Sequence, residues 1–265
     1  MAEEIVQVEN LTKEFGDLVA VDDISFEVYA GEVFGFLGPN GAGKTTTISM
    51  LTTLLEPTAG KAKVAGFDVI CEKESVRESM GLIFQESSLD EDLTALENMK
   101  IHAVLYHLPR NQQQPRIEKM LKMVELWERR SELVMNFSGG MKRRLEVARS
   151  LLHYPRILFM DEPTLGLDPQ TRNKIWDHVL ETHAKEKITL FMTTHYMDEA
   201  EYCDRVAVID HGKIIALGTP AQLKEKTGAK TMNDVFLELT GRDVRDEGAG
   251  RIERMKAIMR GRFRR

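Results

Sequence analysis

The run GEVFGFLGPNGAGKTTTISML, Gly31 to Leu51, constrains this chain more than any other stretch. Apolar residues of strand character pass directly into a glycine-rich loop, and the loop passes into a helical pattern. Gly38, Pro39, Asn40, Gly41, Ala42, Gly43, Lys44 and Thr45 fit G-x-x-x-x-G-K-[ST], with Thr46 following. The physical sense of that spacing is phosphate binding. Glycines let backbone N–H groups turn inward around an anion, and the following helix offers its positive end. Lys44 then reaches the outer phosphates, and the Thr45 hydroxyl is placed to ligate Mg²⁺. Taken without its strand and helix, the same string is also readable as a glycine turn with a chance lysine.

A strand feeding a phosphate loop belongs to a parallel, helix-covered sheet, and 265 residues with 42% hydrophobic content suffice for one large α/β domain. The strand and helix signals alternate accordingly. IVQVEN and VAVDDISFEV read as short strands divided by turn signals, and GKAKVAGFDV as a hairpin element. MGLIFQ, RILFMDEP, ITLFMTTH and RVAVIDHGKIIALG read as the remaining core strands, the last turning at Asp210, His211 and Gly212. From Thr94 to Val134 the pattern is helical, with Leu96, Met99, Ile101, Val104, Leu105 and Leu108 on an apolar face and a polar break at RNQQQPR. An inserted helical subdomain at about 86–150 is expected within a domain at 1–240.

Composition narrows the function. Cys71 and Cys203, the two cysteines, form no C-x-x-C pair, so neither a disulfide framework nor a zinc site is indicated. No apolar run approaches the length of a bilayer span, and MAEEIVQVEN is acidic where a signal peptide is basic and then apolar. A net charge of -6 disfavours a dedicated nucleic-acid binder. The tail 241–265 differs at its end: from Ala249 to Arg265, Arg251, Arg254, Lys256, Arg260, Arg262, Arg264 and Arg265 face Glu253 alone. Ile252, Met255, Ile258 and Met259 would cluster on one side of a basic helix there, and a solvated tail is the alternative.

Ile157, Leu158, Phe159 and Met160 run into Asp161 and Glu162, as a buried strand delivers carboxylates to the sheet edge where the phosphate loop also ends. In that setting Asp161 holds a hydrated Mg²⁺ and Glu162 polarises an attacking water. Asp-Glu-Pro is equally good first-turn helix chemistry.

The segment from Phe137 to Pro169, FSGGMKRRLEVARSLLHYPRILFMDEPTLGLDP, resembles the signature segment and Walker B strand of ABC (ATP-binding cassette) ATPases. The resemblance extends over roughly residues 3–240. It implies a P-loop NTPase of ABC type, with a mainly parallel core sheet, an antiparallel β subdomain and an inserted α-helical subdomain. It implies further that Ser138, Gly139 and Gly140 cradle phosphate from a second subunit. Phe15 then stacks on adenine, and Gln85 contacts Mg²⁺ and the water. Asp168 lies in the loop that crosses to the other subunit, and His195 touches the γ-phosphate. Each has a plainer use as well: Phe15 as core, Gln85 as a strand end, Asp168 as a helix cap, His195 as a solvated imidazole.

Phe137 and Met141 depart from the Leu and Gln of many members. S-G-G-M-K-R-R-L and the ending NDVFLELTGR nevertheless resemble the drug-exporter branch, similar to daunorubicin-resistance ATPases that partner ABC-2 type permeases. The implied assembly is a head-to-tail dimer, with a second copy or a homologous ATPase subunit, at the cytoplasmic face of a membrane, beside a separate permease and with no stable nucleic-acid partner. The implied cofactors are ATP and Mg²⁺. A soluble ABC ATPase acting on the ribosome or nucleic acid is the alternative.

Overall fold

The computed structural model describes residues 3–165 and 168–241. Strands β1 (Glu4–Phe15) and β2 (Leu18–Tyr29) pair antiparallel across a turn at Gly16. With β4 (Ala59–Val64) and β5 (Phe67–Asp68) they give a sheet of order β2-β1-β4-β5. Alternation puts Val6, Val8, Phe26 and Val28 on its inner face.

A second sheet is built from β3 (Val33–Leu37), β6 (Met80–Ile83), β7 (Ile157–Asp161), β8 (Thr189–Thr194), β9 (Arg205–Asp210) and β10 (Lys213–Gly218). Its order is β10-β9-β3-β8-β7-β6, parallel except for the β9/β10 hairpin. Every residue of β3, β7 and β8 is buried, the pattern of strands covered on both faces. The β1–β2 sheet covers one face through an aromatic cluster. Phe26 stacks on Phe34 with centroids 5.7 Å apart, and Phe36, Phe159 and Phe191 complete the group.

Helix α1 (Lys44–Leu51) follows β3, and α2 (Lys73–Ser79) precedes β6. Between β6 and β7 the chain is helical: α3 (Ala95–Leu105), α4 (Arg110–Met123) and α5 (Gly139–Ser150). Then come α6 (Pro169–Glu186), α7 (Pro220–Thr227) and α8 (Met232–Thr240). Thr94 and Glu97 start α3 with a reciprocal capping box, Glu97 N–H donating to Thr94 Oγ1 at 3.2 Å and Thr94 N–H to Glu97 Oε2 at 2.8 Å.

One local expectation is corrected. RNQQQPR is not a break, because α4 begins at Arg110 and carries Pro115 inside it. The interruption lies earlier, where His107 turns left-handed (φ 52°) and Pro109 caps α4. Arg and Gln are good helix formers, and the run around Pro115 stays helical although its ring nitrogen cannot donate to the Asn111 carbonyl. The apolar face of α3 and of the turn after it is half internal: Met99 and Leu108 are buried, whereas Ile101, Val104 and Leu105 are 50%, 62% and 67% exposed. The basic stretch Arg251–Arg265 lies outside the described residues. No described helix is long and apolar enough to cross a membrane.

Candidate active site

The glycine loop sits at the C-terminal end of β3, where its shape depends on missing side chains. A Cβ at Gly38 would lie 2.3 Å from the Ile209 carbonyl oxygen at the end of β9. Gly41 and Gly43 take φ of 82° and 108°, conformations costly for other residues. Gly43 caps α1 with no side-chain hydrogen bond, so the amide end of the helix opens onto the loop.

Lys44 is folded into that loop. Its Nζ donates to the carbonyl oxygens of Gly38 (2.8 Å) and Pro39 (3.0 Å) and lies 3.1 Å from Glu162 Oε1. Glu162 follows β7 in a left-handed conformation (φ 47°), and its N–H donates to both the backbone oxygen and Oγ1 of Thr193 at 3.1 Å. The same Thr193 hydroxyl donates to Asp161 Oδ1 at 2.5 Å, so one residue of β8 orients both acids. On its other side Glu162 Oε2 is 3.1 Å from Nδ1 of His195, whose ring packs 4.2 Å from that of Tyr196. Burial alone would push the Glu162 carboxyl up. The hydrogen bond with His195 and the charge of Lys44 outweigh burial and hold it below the usual value.

Lys44 and Glu162 border a groove of about 400 Å³ lined also by Phe15, Leu18, Ala20, Asn40, Gly41, Gly43, Thr45, Thr46 and Gln85, whereas Asp161 and His195 stand behind Glu162 and do not line it. Phe15, 48% exposed, forms part of its wall with Lys13 Nζ 5.2 Å from the ring centroid, so it is a surface aromatic and not core. Ala42 is buried behind the loop. Thr45 and Gln85 on the groove wall and the buried Asp161 at the end of β7 carry neutral and anionic oxygens, donors that would suit a hard, hydrated cation. A smaller hollow of about 150 Å³ adjoins through Gln85 and Glu162 and is lined also by Gly139, Arg143, Glu146 and Pro163.

Ser138, Gly140 and Asp168 do not line the larger groove. Ser138 caps α5 by accepting from the Met141 N–H at 3.3 Å. A Cβ on Gly140 would lie 2.6 Å from Thr171 Cγ2, so this glycine permits close approach of α5 and α6. Asp168 caps α6, accepting from Gln170 and Thr171 N–H and from the Thr171 hydroxyl at 2.6 Å. Met141 and Phe137 face inward: Arg129 Nη1 approaches Met141 Sδ at 3.2 Å and its guanidinium lies 5.8 Å from the Phe137 ring. The unusual signature residues therefore serve the helical segment's own packing. Sequence reasoning missed Leu18, Ala20, Thr193 and the Arg143–Glu146 pair. Arg143 and Glu146, three apart on α5, carried the one readable signal, a charged pair at helical spacing.

The ABC transporter family model matches residues 21–165. The chain is 41% identical over 239 residues to the daunorubicin resistance ATP-binding protein DrrA3 of Streptomyces coeruleorubidus, covering 90% of this chain and 75% of that one. It is 41% identical over 242 residues to the probable multidrug ABC transporter ATP-binding protein YbhF of Escherichia coli (strain K12), covering 89% of this chain. The chain spans only 42% of that relative's length. Among solved structures, a dimeric post-hydrolysis state of the ATP-binding cassette MJ0796 bound to ADP and Pi superposes with a TM-score of 0.73 at 26% identity, covering 81% of this chain and 98% of that one.

Proposed function

This chain belongs to the ABC transporter family of ATP-binding proteins, and from that premise we propose that it binds and hydrolyses ATP to power export through a separate membrane permease. The observation that carries the proposal is the Glu162 carboxylate, held between Lys44 and His195 on the wall of a groove floored by the glycine loop. Phe15 stacks on the base. The amides of residues Gly41 to Thr46 and the Lys44 ammonium hold the phosphates. Thr45, Gln85 and Asp161 would hold Mg²⁺, which would supply positive charge to the phosphate oxygens. When a γ-phosphate draws Lys44 away from Glu162, the carboxylate loses a stabilising cation and becomes a stronger base toward water. His195, opposite Lys44, keeps that carboxylate aimed and senses the γ-phosphate.

Ser138 and Gly140 line no part of the groove of their own chain, and Gly139 reaches only the smaller hollow beside it, which supports a head-to-tail dimer in which each chain lends all three to its partner's ATP. The permease docks on the outward side of α3. There Ile101, Val104 and Leu105 are exposed beside a groove of about 200 Å³ lined by Leu54, Phe84, His102, Tyr106 and His153. That arrangement makes the chain a peripheral subunit at the cytoplasmic membrane face.

Mixing two inactive variants tests the shared site. Lys44→Ala spoils a chain's own loop and Ser138→Arg the loop it lends, so both lesions fall on one site of a mixed dimer. With random pairing about half the dimers are mixed and each keeps one good site of two, so about a quarter of wild-type activity returns. No recovery in mixtures with tag-verified heterodimers rejects the shared site, and ribosomal co-sedimentation in place of permease-dependent membrane association rejects export.

A further inference from the structure

Helix α5 starts at the Ser138–Gly140 loop, and Arg143, Glu146 and Arg149 follow at three-residue steps along it. All three grip backbone elsewhere. Arg143 Nη1 donates to the Phe84 carbonyl at 2.6 Å, and Nε donates to the Pro163 carbonyl at 2.6 Å. The same Nη1 bonds Glu146 Oε2 at 2.9 Å, while Glu146 Oε1 accepts from the Ser88 N–H at 2.9 Å. Arg149 donates to the Ser88 carbonyl at 2.8 Å and also bonds its hydroxyl.

Phe84 immediately precedes Gln85, and Pro163 immediately follows Glu162. A single guanidinium, 7% exposed, therefore fixes the carbonyls beside both side chains that shape the water and metal end of the groove. A buried ion pair is a poor stabiliser compared with an apolar pair of the same volume, so packing alone gives no reason for an arginine here. A planar fork that spans two loops does.

We infer that Arg143 is a positioning residue: it registers Gln85 and Glu162 against α5, so that a shift of the Ser138–Gly140 loop at the head of that helix reaches both. The inference rests on the ATPase reading above. In a shared-site dimer it links the nucleotide a chain caps on its partner to the chemistry of its own site.

The test uses the full-length chain with Arg143→Met/Glu146→Gln and Arg143→Lys. The double variant removes the fork without leaving a buried carboxylate unpaired, and the amide oxygen introduced at position 146 still accepts from the Ser88 N–H. Expected are a melting temperature near wild type, a MgATP KM within about threefold and a kcat lower by about 10²-fold, the scale of a small misplacement of reacting groups. Arg143→Lys, which keeps the charge and loses the fork, recovers about tenfold of that. The Mg²⁺ concentration for half-maximal rate rises in the double variant, because Gln85 is no longer held; a purely structural role leaves it unmoved. Wild-type kcat and Mg²⁺ dependence in the double variant overturn the inference. If the double variant does not fold, a wild-type kcat in Arg143→Lys overturns it. A wild-type chain without Mg²⁺-dependent hydrolysis rejects instead the ATPase reading.

Discussion

His102 and His153 should make the folded protein sensitive to acid. His102 and His153 lie mostly buried with Tyr106 between them, its ring 3.8 Å from His153 and 4.5 Å from His102. His153 Nε2 donates to the Met80 carbonyl at 2.8 Å, which leaves Nδ1 unprotonated in the neutral ring; His153 Nδ1 and His102 Nε2 are buried without a hydrogen-bond partner. Burial first, then the positive charge of Arg149, lowers His102 from 6.5 to about 3; burial against the Met80 bond lowers His153 to about 4. Both folded values are depressed, so below 6.5 the unfolded chain binds more protons, and stability is lost as pH falls from there. At pH 5 the deficit is about 1.5 pH units below the unfolded value, or roughly 2 kcal/mol per histidine as an upper bound. Halving the sum for partial solvation leaves about 2 kcal/mol, a melting shift of about 4–8 °C for a chain of this size. The assay is calorimetric melting at pH 7.5 and pH 5 for wild type and His102→Gln/His153→Gln, where the amide introduced at position 153 can still donate to the Met80 carbonyl. The wild type should lose about 4–8 °C more than the double variant. Equal losses refute the assignment and place the acid sensitivity among the carboxylates.

Glu162→Gln keeps the acceptor facing Lys44 but removes the base, so turnover should fall about 10²- to 10⁴-fold with nucleotide affinity retained; steady-state kinetics beside equilibrium nucleotide binding checks it. Gly38→Ala drives a Cβ to 2.3 Å from the Ile209 oxygen, and the shift of the loop should cost about 1–3 kcal/mol in denaturant unfolding and weaken ATP binding. Met141→Gln, facing Arg129 and not the groove, should leave KM for ATP within about twofold and lower stability by under about 1.5 kcal/mol; a larger KM change would show that position 141 contacts nucleotide.

The phosphate loop was legible because its requirements are local: consecutive residues, glycines at left-handed positions, and a strand and helix on either side. The Asp161–Glu162 strand end was legible for a similar reason, since a fully apolar run announces a covered parallel strand. Arg143 was not, because its partners at Phe84 and Pro163 are far away in sequence and are backbone atoms, which leave no side-chain signature. Thr193 was hidden inside an ordinary β-branched strand pattern. The start of α4 was missed because RNQQQPR was read as a polar break, although Arg and Gln favour helix and the interruption lies at His107 and Pro109. The inward packing of Met141 depended on Arg129, which no local pattern ties to it.

The left-handed backbone at Glu162 has an evolutionary consequence. A glutamate at φ 47° is held in a conformation that glycine or asparagine adopts more readily, at a cost of about 1–3 kcal/mol. Selection for hydrolysis and selection for stability therefore pull position 162 in opposite directions. In a duplicated copy released from hydrolysing ATP, replacement of Glu162 by Asn relieves that backbone strain, and Lys44 keeps the Gly38 and Pro39 carbonyls as partners. Degenerate copies of this chain should accordingly lose this acid early, and persist as well-folded proteins that hold nucleotide without consuming it.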